Sequence, residues 1–239
     1  GTFVRGKFRV WDRISGKQKF EGHSRLELPS IAFSSDGKHI AVGMGENETE
    51  ILDAGTGKSL HSLTIPKGLL SLIFFSPDGS RLFATTSEGH IYCWTIRDRQ
   101  LSGFAGSHSN EVLSFSFSHD NKTLATGSVD RTLKLWDIAT GEELRTILGH
   151  GAWVTSLHFS VGDRHLISGG RDGLIKMWDL AATEMPIWPE QKPTSISATV
   201  FTPANELLAL GRAADGHLRV WNLSNGRIVT DLGTARQVS

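Results

Sequence analysis

Four side chains, three of them with catalytic potential, recur at the same spacing in two parts of the 239-residue sequence. The two sets are His108, Thr126, Asp130 and Trp136, and His150, Ser168, Asp172 and Trp178. An imidazole, a hydroxyl and a carboxylate together form the triad of nucleophilic catalysis. The duplication argues against that chemistry, because an enzyme of this kind needs one active site. We therefore interpret both sets as structural networks and predict no catalytic residue.

Other patterns associated with ligand chemistry are incomplete. The stretch Gly55-Thr56-Gly57-Lys58-Ser59 resembles the end of a phosphate-binding loop, but the full motif needs a glycine where Leu52 stands and a helix afterwards. Residues 60–65 instead alternate like a strand. The ten histidines include no His-Glu-x-x-His motif and no Cys-His cluster. The sequence therefore predicts no metal site and no cofactor.

The tryptophans place both sets in a repeat. Trp136 and Trp178 are 42 residues apart (178 − 136), and each is followed by an aspartate. The pair, or a degraded form of it, begins at Trp11, Leu52, Trp94, Trp136, Trp178 and Trp221. A period of about 40–45 residues with four short strands per unit is typical of a propeller blade.

Gly149-His150 before one repeat and Trp178-Asp179 at its end are the two markers of a known family. On these residues the chain resembles the WD40-repeat family over essentially all of its length. The resemblance implies an all-β ring of four-stranded antiparallel blades. We expect one incomplete propeller domain over residues 1–239, a fragment of a larger ring that by family habit has seven blades. Five full blades and a partial first blade are predicted at about 1–21, 28–63, 69–104, 112–148, 154–188 and 196–232.

The same resemblance implies roles for the repeated side chains. The turn aspartate accepts a hydrogen bond from the histidine, which bonds the hydroxyl, which reaches the indole N–H, so that each buried polar group has a partner. The other blades lack the full set. Leu52 replaces the tryptophan in the second blade, Ala84 and Gly211 replace the hydroxyl in the third and sixth, and no network is expected around Glu88.

The amino-acid composition and the lengths of the apolar runs argue against two classes of partner, nucleic acids and membranes. Lysine plus arginine equals aspartate plus glutamate, 25 each, whereas nucleic-acid binders usually carry a basic excess. No apolar run approaches the roughly 18 residues that span a membrane. Cys93 is the single cysteine, which precludes an intrachain disulfide, and we expect it in the core. The sequence predicts a cytoplasmic protein that binds neither nucleic acid nor membrane.

In the family, partners usually bind the face that carries the loops entering each first strand and the turns between second and third strands. The candidate positions here are Leu69, Ser87, Glu111, Val129, Trp153 and Arg171. Trp153 beside Arg171 is the favoured pair, because tryptophan and arginine dominate interface energetics. The alternative is that Trp153 packs against its own loop.

We conclude that the sequence predicts a non-enzymatic scaffold for protein–protein contacts, with unidentified protein partners and with the remaining blades outside this chain. One alternative is the scaffold or sensor region of a longer protein, such as a bacterial serine/threonine kinase. A second is a propeller enzyme or ligand binder, for which the repeats offer no converging polar residues. We also expect an unpaired strand edge at residues 8–11. Apolar faces should be exposed at the two ends of the chain, at Phe8, Val10 and Trp11 and at Leu208, Leu210 and Val220.

Overall fold

The structure is a computed structural model that describes residues 6–26, 29–98, 100–102, 106–181, 185–187, 195–201, 207–212, 214–222 and 227–234. These residues form strands and turns, and they contain no helix. Consequently none of them belongs to a helix that is long and apolar enough to cross a membrane. The all-β prediction is confirmed. The chain divides into two compact units, Gly1–Glu111 and Val112–Ser239.

The first unit contains blades 1 to 3. Blade 1 consists of β1 (Gly6–Trp11) and β2 (Gln18–Ser24). Blade 2 consists of β3 (Ile31–Phe33), β4 (His39–Gly43), β5 (Glu48–Asp53) and β6 (Ser59–Thr64). Blade 3 consists of β7 (Leu70–Phe75), β8 (Arg81–Thr86), β9 (Ile91–Thr95) and β10 (Leu101–Ser102).

The second unit contains blades 4 to 6. Blade 4 consists of β11 (Val112–Phe117), β12 (Thr123–Ser128), β13 (Leu133–Asp137) and β14 (Glu143–Ile147). Blade 5 consists of β15 (Val154–Phe159), β16 (His165–Gly170), β17 (Ile175–Asp179) and β18 (Met185–Ile187). Blade 6 consists of β19 (Ser195–Phe201), β20 (Leu207–Arg212), β21 (His217–Asn222) and β22 (Arg227–Thr234). Every blade is an antiparallel meander in which each strand pairs with the next one along the chain.

Local side-chain hydrogen bonds set the hairpins. Between first and second strands, Ser34, Ser76 and Ser118 each donate to the aspartate two residues later, at 2.6, 2.5 and 2.7 Å. Between β5 and β6, the Asp53 carboxylate accepts the backbone N–H groups of Gly55 and Thr56 at 3.1 and 2.8 Å. The segment that resembles a phosphate-binding loop is therefore a hairpin turn of this kind.

Apolar side chains from adjacent blades share each core. In the first unit, Ile51 and Leu63 of blade 2 pack with Ile73, Leu82 and Trp94 of blade 3. In the second unit, the following side chains of blades 4 and 5 form one cluster: Ala125, Leu133, Leu135, Ile147, Val154, Leu157, Phe159, Leu166 and Trp178. Burying a large apolar side chain fully contributes about 1.5–3 kcal/mol, so the contacts between blades stabilise each sheet.

The partial blade differs from the prediction. β1 pairs only with β2 among the described residues, as expected. Phe8 and Val10, however, are buried at 7% and 8% exposure, because they pack on Ile40 and Val42 of blade 2. The expectation that both are exposed was wrong. Trp11 lies on the opposite face of β1 and is 56% exposed.

At the other end of the chain, blade 6 also covers part of its predicted apolar face. Leu208, Leu210 and Val220 are of intermediate exposure, rather than fully exposed as the sequence led us to expect.

A polar link joins blades 4 and 5 at the turns between their first and second strands. Asp163 accepts the backbone N–H of His119 at 2.9 Å, and its carboxylate lies 2.8 Å from His119 Nδ1. His158 stands nearby, half-buried. Its burial, together with the neighbouring His119, lowers the pKa of His158 below its ordinary value of 6.5.

This lowered pKa predicts a pH dependence of stability. The unfolded chain takes up the His158 proton first, so stability is full above pH 6.5 and decreases as the pH falls towards the lower folded-state pKa. We expect His158→Gln to flatten this part of the curve in urea unfolding between about pH 7.5 and about pH 5.5. The exposed His23→Gln serves as the control. An identical pH profile for His158→Gln and the parent would contradict the assignment.

Candidate partner-binding surface

A continuous hydrogen-bond chain runs through blade 5, which we call the blade 5 network. The indole Nε1–H of Trp178 donates to Ser168 Oγ at 2.8 Å. Ser168 Oγ lies 2.7 Å from His150 Nε2, and His150 Nδ1 lies 2.9 Å from an oxygen of Asp172. Trp178 and Ser168 are on adjacent strands, whereas His150 is on the loop before β15. The network therefore ties that loop to the two central strands of the blade.

Asp172 ends the network in the turn between β16 and β17. Its carboxylate also accepts the backbone N–H groups of Gly151 at 2.8 Å and Leu174 at 3.0 Å. Burial alone would raise the pKa of Asp172, but the Gly151 N–H, the charge of His150 and the Leu174 N–H outweigh it and hold the pKa below 3.8. The carboxylate thus fixes the turn on one side and the loop on the other.

The backbone leaves no room for a side chain beside this network. A Cβ atom at Gly170 would lie 2.6 Å from His150 Nδ1 and 2.8 Å from a carboxylate oxygen of Asp172. Ser168 is fully buried, and its hydroxyl is engaged by Trp178 and His150. A substrate cannot reach this hydroxyl, so the geometry fits a structural role rather than a nucleophile.

Blade 4 has the same indole bond, with Trp136 Nε1–H donating to Thr126 Oγ1 at 2.8 Å. Asp130 accepts the backbone N–H and the hydroxyl of Thr132 at 2.9 and 2.7 Å within its turn. His108 is buried but belongs to the first unit. Its bond to Asp130 stays a prediction.

Blade 3 retains one hydrogen bond equivalent to a bond of the blade 5 network, and the sequence did not suggest it. Glu88, at the turn position of Asp172, accepts the backbone N–H of Leu69 at 3.1 Å. This bond ties a turn to the loop before a first strand, as the bond from Gly151 to Asp172 does in blade 5. The expectation of no network around Glu88 is corrected accordingly. The signal for this bond in the sequence was Glu88 itself, an acidic side chain at the turn position and longer than the aspartate of the complete blades.

Blades 2 and 6 have lost the indole bond in different ways. In blade 2 both positions are apolar, because Leu52 and Val42 are buried where the tryptophan and the hydroxyl would be. In blade 6 Trp221 is retained but Gly211 supplies no hydroxyl. The Trp221 Nε1–H is buried and has no hydrogen-bond partner among the described residues.

Ion pairs occupy the outer part of blade 6 instead. Arg219 bonds Asp231 at 2.8 Å and Asp215 at 2.5 Å, and His217 Nδ1 lies 3.0 Å from Asp231. The Gly233 N–H, followed by Arg219 and His217, holds the pKa of Asp231 far below its usual range. The two carboxylates are exposed, at 49% for Asp215 and 39% for Asp231, so solvent screens these ion pairs and we assign little net stability to them.

The structure brings Trp153 and Arg171 together, and we call them the rim pair. The guanidinium carbon of Arg171 lies 4.0 Å from the centroid of the Trp153 ring, which is a cation–π contact. The backbone N–H of Arg171 donates to the Trp153 carbonyl at 2.9 Å. Trp153 remains 38% exposed, so one side of the ring rests on the neighbouring turn and another part faces solvent.

The other predicted surface positions fall in both units. In the first unit Ser87 donates its N–H to the Leu69 carbonyl at 2.9 Å, the same backbone bond as in the rim pair, and Leu69 is 48% exposed. Glu111 accepts a hydrogen bond from Ser71 Oγ at 2.5 Å. In the second unit, Val129 is partly exposed in the turn after β12.

Metal-ligating side chains do not gather elsewhere in the described part of the chain. No group of three or more histidine, cysteine, aspartate or glutamate side chains there has the proximity to hold an ion. Cys93 is buried in β9, at the core position predicted for it.

Comparison with known proteins places the repeats in a family context. The family description "WD domain, G-beta repeat" matches residues 99–137 and 141–179. The description "Anaphase-promoting complex subunit 4 WD40 domain" matches residues 7–78.

Three curated relatives illustrate the similarity. WD repeat-containing protein 90 of Mus musculus is 30% identical over 131 residues, which cover 55% of this chain and 7% of that protein. Protein tipD of Dictyostelium discoideum is 28% identical over 131 residues, or 55% of this chain and 21% of that protein. A guanine nucleotide-binding protein subunit beta of Solanum tuberosum is 29% identical over 140 residues, or 54% of this chain and 37% of that protein. The chain therefore matches well under two thirds of the length of each relative.

The first prediction from this geometry concerns Asp172. We expect Asp172→Ala to lower the free energy of unfolding by about 1–3 kcal/mol, because buried His150 loses its acceptor. Glu88→Ala removes one bond at an exposed side chain, and we expect a loss of about 0.5 kcal/mol or less. Urea denaturation of both variants measures the difference. Equal losses would show that the blade 5 network is not a distinct source of stability.

The second prediction concerns Trp221 of blade 6, whose indole N–H has no partner among the described residues. A hydroxyl at position 211 would stand where Thr126 and Ser168 stand in the complete blades, so Gly211→Ser should give Trp221 Nε1 a partner. We expect Gly211→Ser to be more stable than Gly211→Ala by about 1 kcal/mol. Both variants add a Cβ atom, so their difference in thermal unfolding isolates the hydroxyl. Equal melting temperatures would contradict the prediction.

Proposed function

This chain belongs to the WD40-repeat family, and from that membership we propose that it is a non-enzymatic scaffold that binds a partner protein through the turns at one end of its blades. WD40 repeats support the general role of a scaffold for protein contacts. The finer proposal is that the rim pair of blade 5 is part of the contact surface.

The observation that carries the proposal is the geometry of the rim pair. Trp153 is large, partly exposed and held at 4.0 Å by the guanidinium of Arg171. Tryptophan and arginine are the residue types that most often supply large binding energies at interfaces. A side chain already held in place loses little conformational entropy on binding, so its contact area contributes more to affinity.

The buried networks support the non-enzymatic part of the proposal. The histidine, hydroxyl and aspartate of blade 5 bond one another and the backbone, and the hydroxyl is inaccessible. In blade 4 the Thr126 hydroxyl likewise accepts the indole N–H of Trp136 in the core. These residues stiffen the turns that a partner would contact.

The names of similar proteins point in the same direction. One relative is named a subunit beta of a guanine nucleotide-binding protein, and one family description refers to a subunit of the anaphase-promoting complex. Both names describe parts of assemblies, which supports a partner-binding role here. A cytoplasmic location remains a prediction from the sequence.

Site-specific photocrosslinking tests the proposal. A photoreactive phenylalanine analogue at position 153 should give discrete protein adducts in extracts of the source organism, and Arg171→Ala should reduce them. The control places the same group at position 161, because Val161 is 65% exposed but lies at the opposite end of β15. Adducts of the same kind and yield at both positions, or at position 161 alone, would refute a contact surface at Trp153.

A further inference from the structure

The cation of the rim pair has no acidic partner among the described residues. No ion pair or side-chain hydrogen bond of Arg171 occurs within the residues the structure describes. The nearest carboxylate in sequence, Asp172, is engaged by His150, Gly151 and Leu174. We infer that Arg171, held against Trp153, binds a carboxylate on an acidic segment of the partner protein. This inference rests on the proposed function and specifies the chemistry of the partner.

Arg171 is exposed although it contacts Trp153. A guanidinium carries its N–H donors in its own plane, and the guanidinium carbon lies 4.0 Å from the centroid of the Trp153 ring. Donors in this fixed arrangement match the two oxygens of a carboxylate. The backbone bond from Arg171 to the Trp153 carbonyl, at 2.9 Å, fixes the base of both side chains.

The charges on the turns of the second unit favour an acidic partner. Asp130, Asp172 and Asp215 stand at the equivalent turn position of blades 4, 5 and 6, and each accepts hydrogen bonds from its own unit. Arg131, in the blade 4 turn, is exposed and forms no described ion pair. Asp130 and Asp172 keep their charge, but they are half-buried and bonded to their own turns and loops, whereas Arg131 and Arg171 are exposed. The charged groups that a partner meets first at these two turns are therefore cationic.

A protein carboxylate fits better than a nucleic acid. The chain has a formal net charge of zero, with 25 basic and 25 acidic side chains, so the exposed arginines at these turns are not part of a general basic excess. A nucleic acid would need several phosphate contacts along a basic stripe. One stacked arginine with a second arginine on the adjacent blade matches a short acidic peptide.

Peptide binding to the full chain tests the inference. The probes are short fluorescein-labelled peptides: one rich in glutamate, one with glutamine at the same positions and one with phosphoserine at those positions. A single-stranded oligo-dT of similar length is the nucleic-acid probe. We expect the glutamate peptide to bind at least about tenfold more tightly than the glutamine peptide in fluorescence anisotropy, because a charged acceptor strengthens the bond to the guanidinium.

Variants assign the binding to the rim pair. Arg171→Gln should weaken the glutamate peptide about tenfold, and Arg171→Lys should recover only part of the affinity, because an ammonium cannot stack or form the paired bonds. Trp153→Leu should also weaken binding. The matched control is Arg164→Gln, since Arg164 is 72% exposed but pairs with Asp179 at 3.3 Å and lies at the other end of the blade. Unchanged melting of Arg171→Gln would show that the fold is intact.

Several results would overturn the inference. Equal affinity for the glutamate and glutamine peptides, or an Arg171→Gln variant that binds like the parent, excludes carboxylate recognition at this site. Tighter binding of oligo-dT or of the phosphoserine peptide than of the glutamate peptide assigns the site to phosphate. Discrete crosslinks at position 153 without binding of the glutamate peptide would reject the acidic partner and leave the scaffold function standing.

Discussion

A buried indole N–H needs an acceptor, and in the complete blades this requirement connects the core to the surface. Trp178 contributes its ring to the core between blades 4 and 5, and its Nε1–H is satisfied by Ser168. The serine hydroxyl engages His150, whose other ring nitrogen meets Asp172. Because every member of this hydrogen-bond network is buried or half-buried, the loss of one member leaves an unsatisfied polar group. The network therefore holds the loop before β15 and the turn after β16 in one arrangement.

The incomplete blades show the effect of the same constraint when members of the network are missing. When both partners become apolar, as with Leu52 and Val42 in blade 2, neither side chain needs a hydrogen bond, and the exchange costs little. Blade 6 has lost only the acceptor, so Trp221 Nε1 is unpaired among the described residues. Nearby, Arg219 with Asp215 and Asp231 forms an ion-pair cluster on the outer part of the blade. Blade 6 thus combines a buried indole N–H that has no partner among the described residues with ion pairs on its outer part.

The repeat period predicts most of the fold, because each blade is a local meander whose turns carry their own side-chain hydrogen bonds. Ser168 and Trp178 are ten residues apart, as are Thr126 and Trp136. This common spacing predicts that each pair lies on adjacent strands. Contacts between blades are harder to predict. Phe8 and Val10 are buried by packing on another blade, which depends on sheet orientation rather than on their own strand. The His119–Asp163 bond depends on a one-residue shift of the aspartate in the blade 5 turn, Ser160-Val161-Gly162-Asp163, relative to Ser118-His119-Asp120.

The rim pair shows why a structural network can determine a binding surface without touching a partner. Arg171 immediately precedes Asp172, so the bonds that hold Asp172 to His150, Gly151 and Leu174 also fix the backbone from which the Arg171 side chain extends. Trp153 follows Gly151 by two residues and is fixed by the same carboxylate from the loop side. The two residues that face solvent are thereby positioned by one buried carboxylate. The stability of blade 5 and the geometry of its exposed arginine consequently depend on the same interaction.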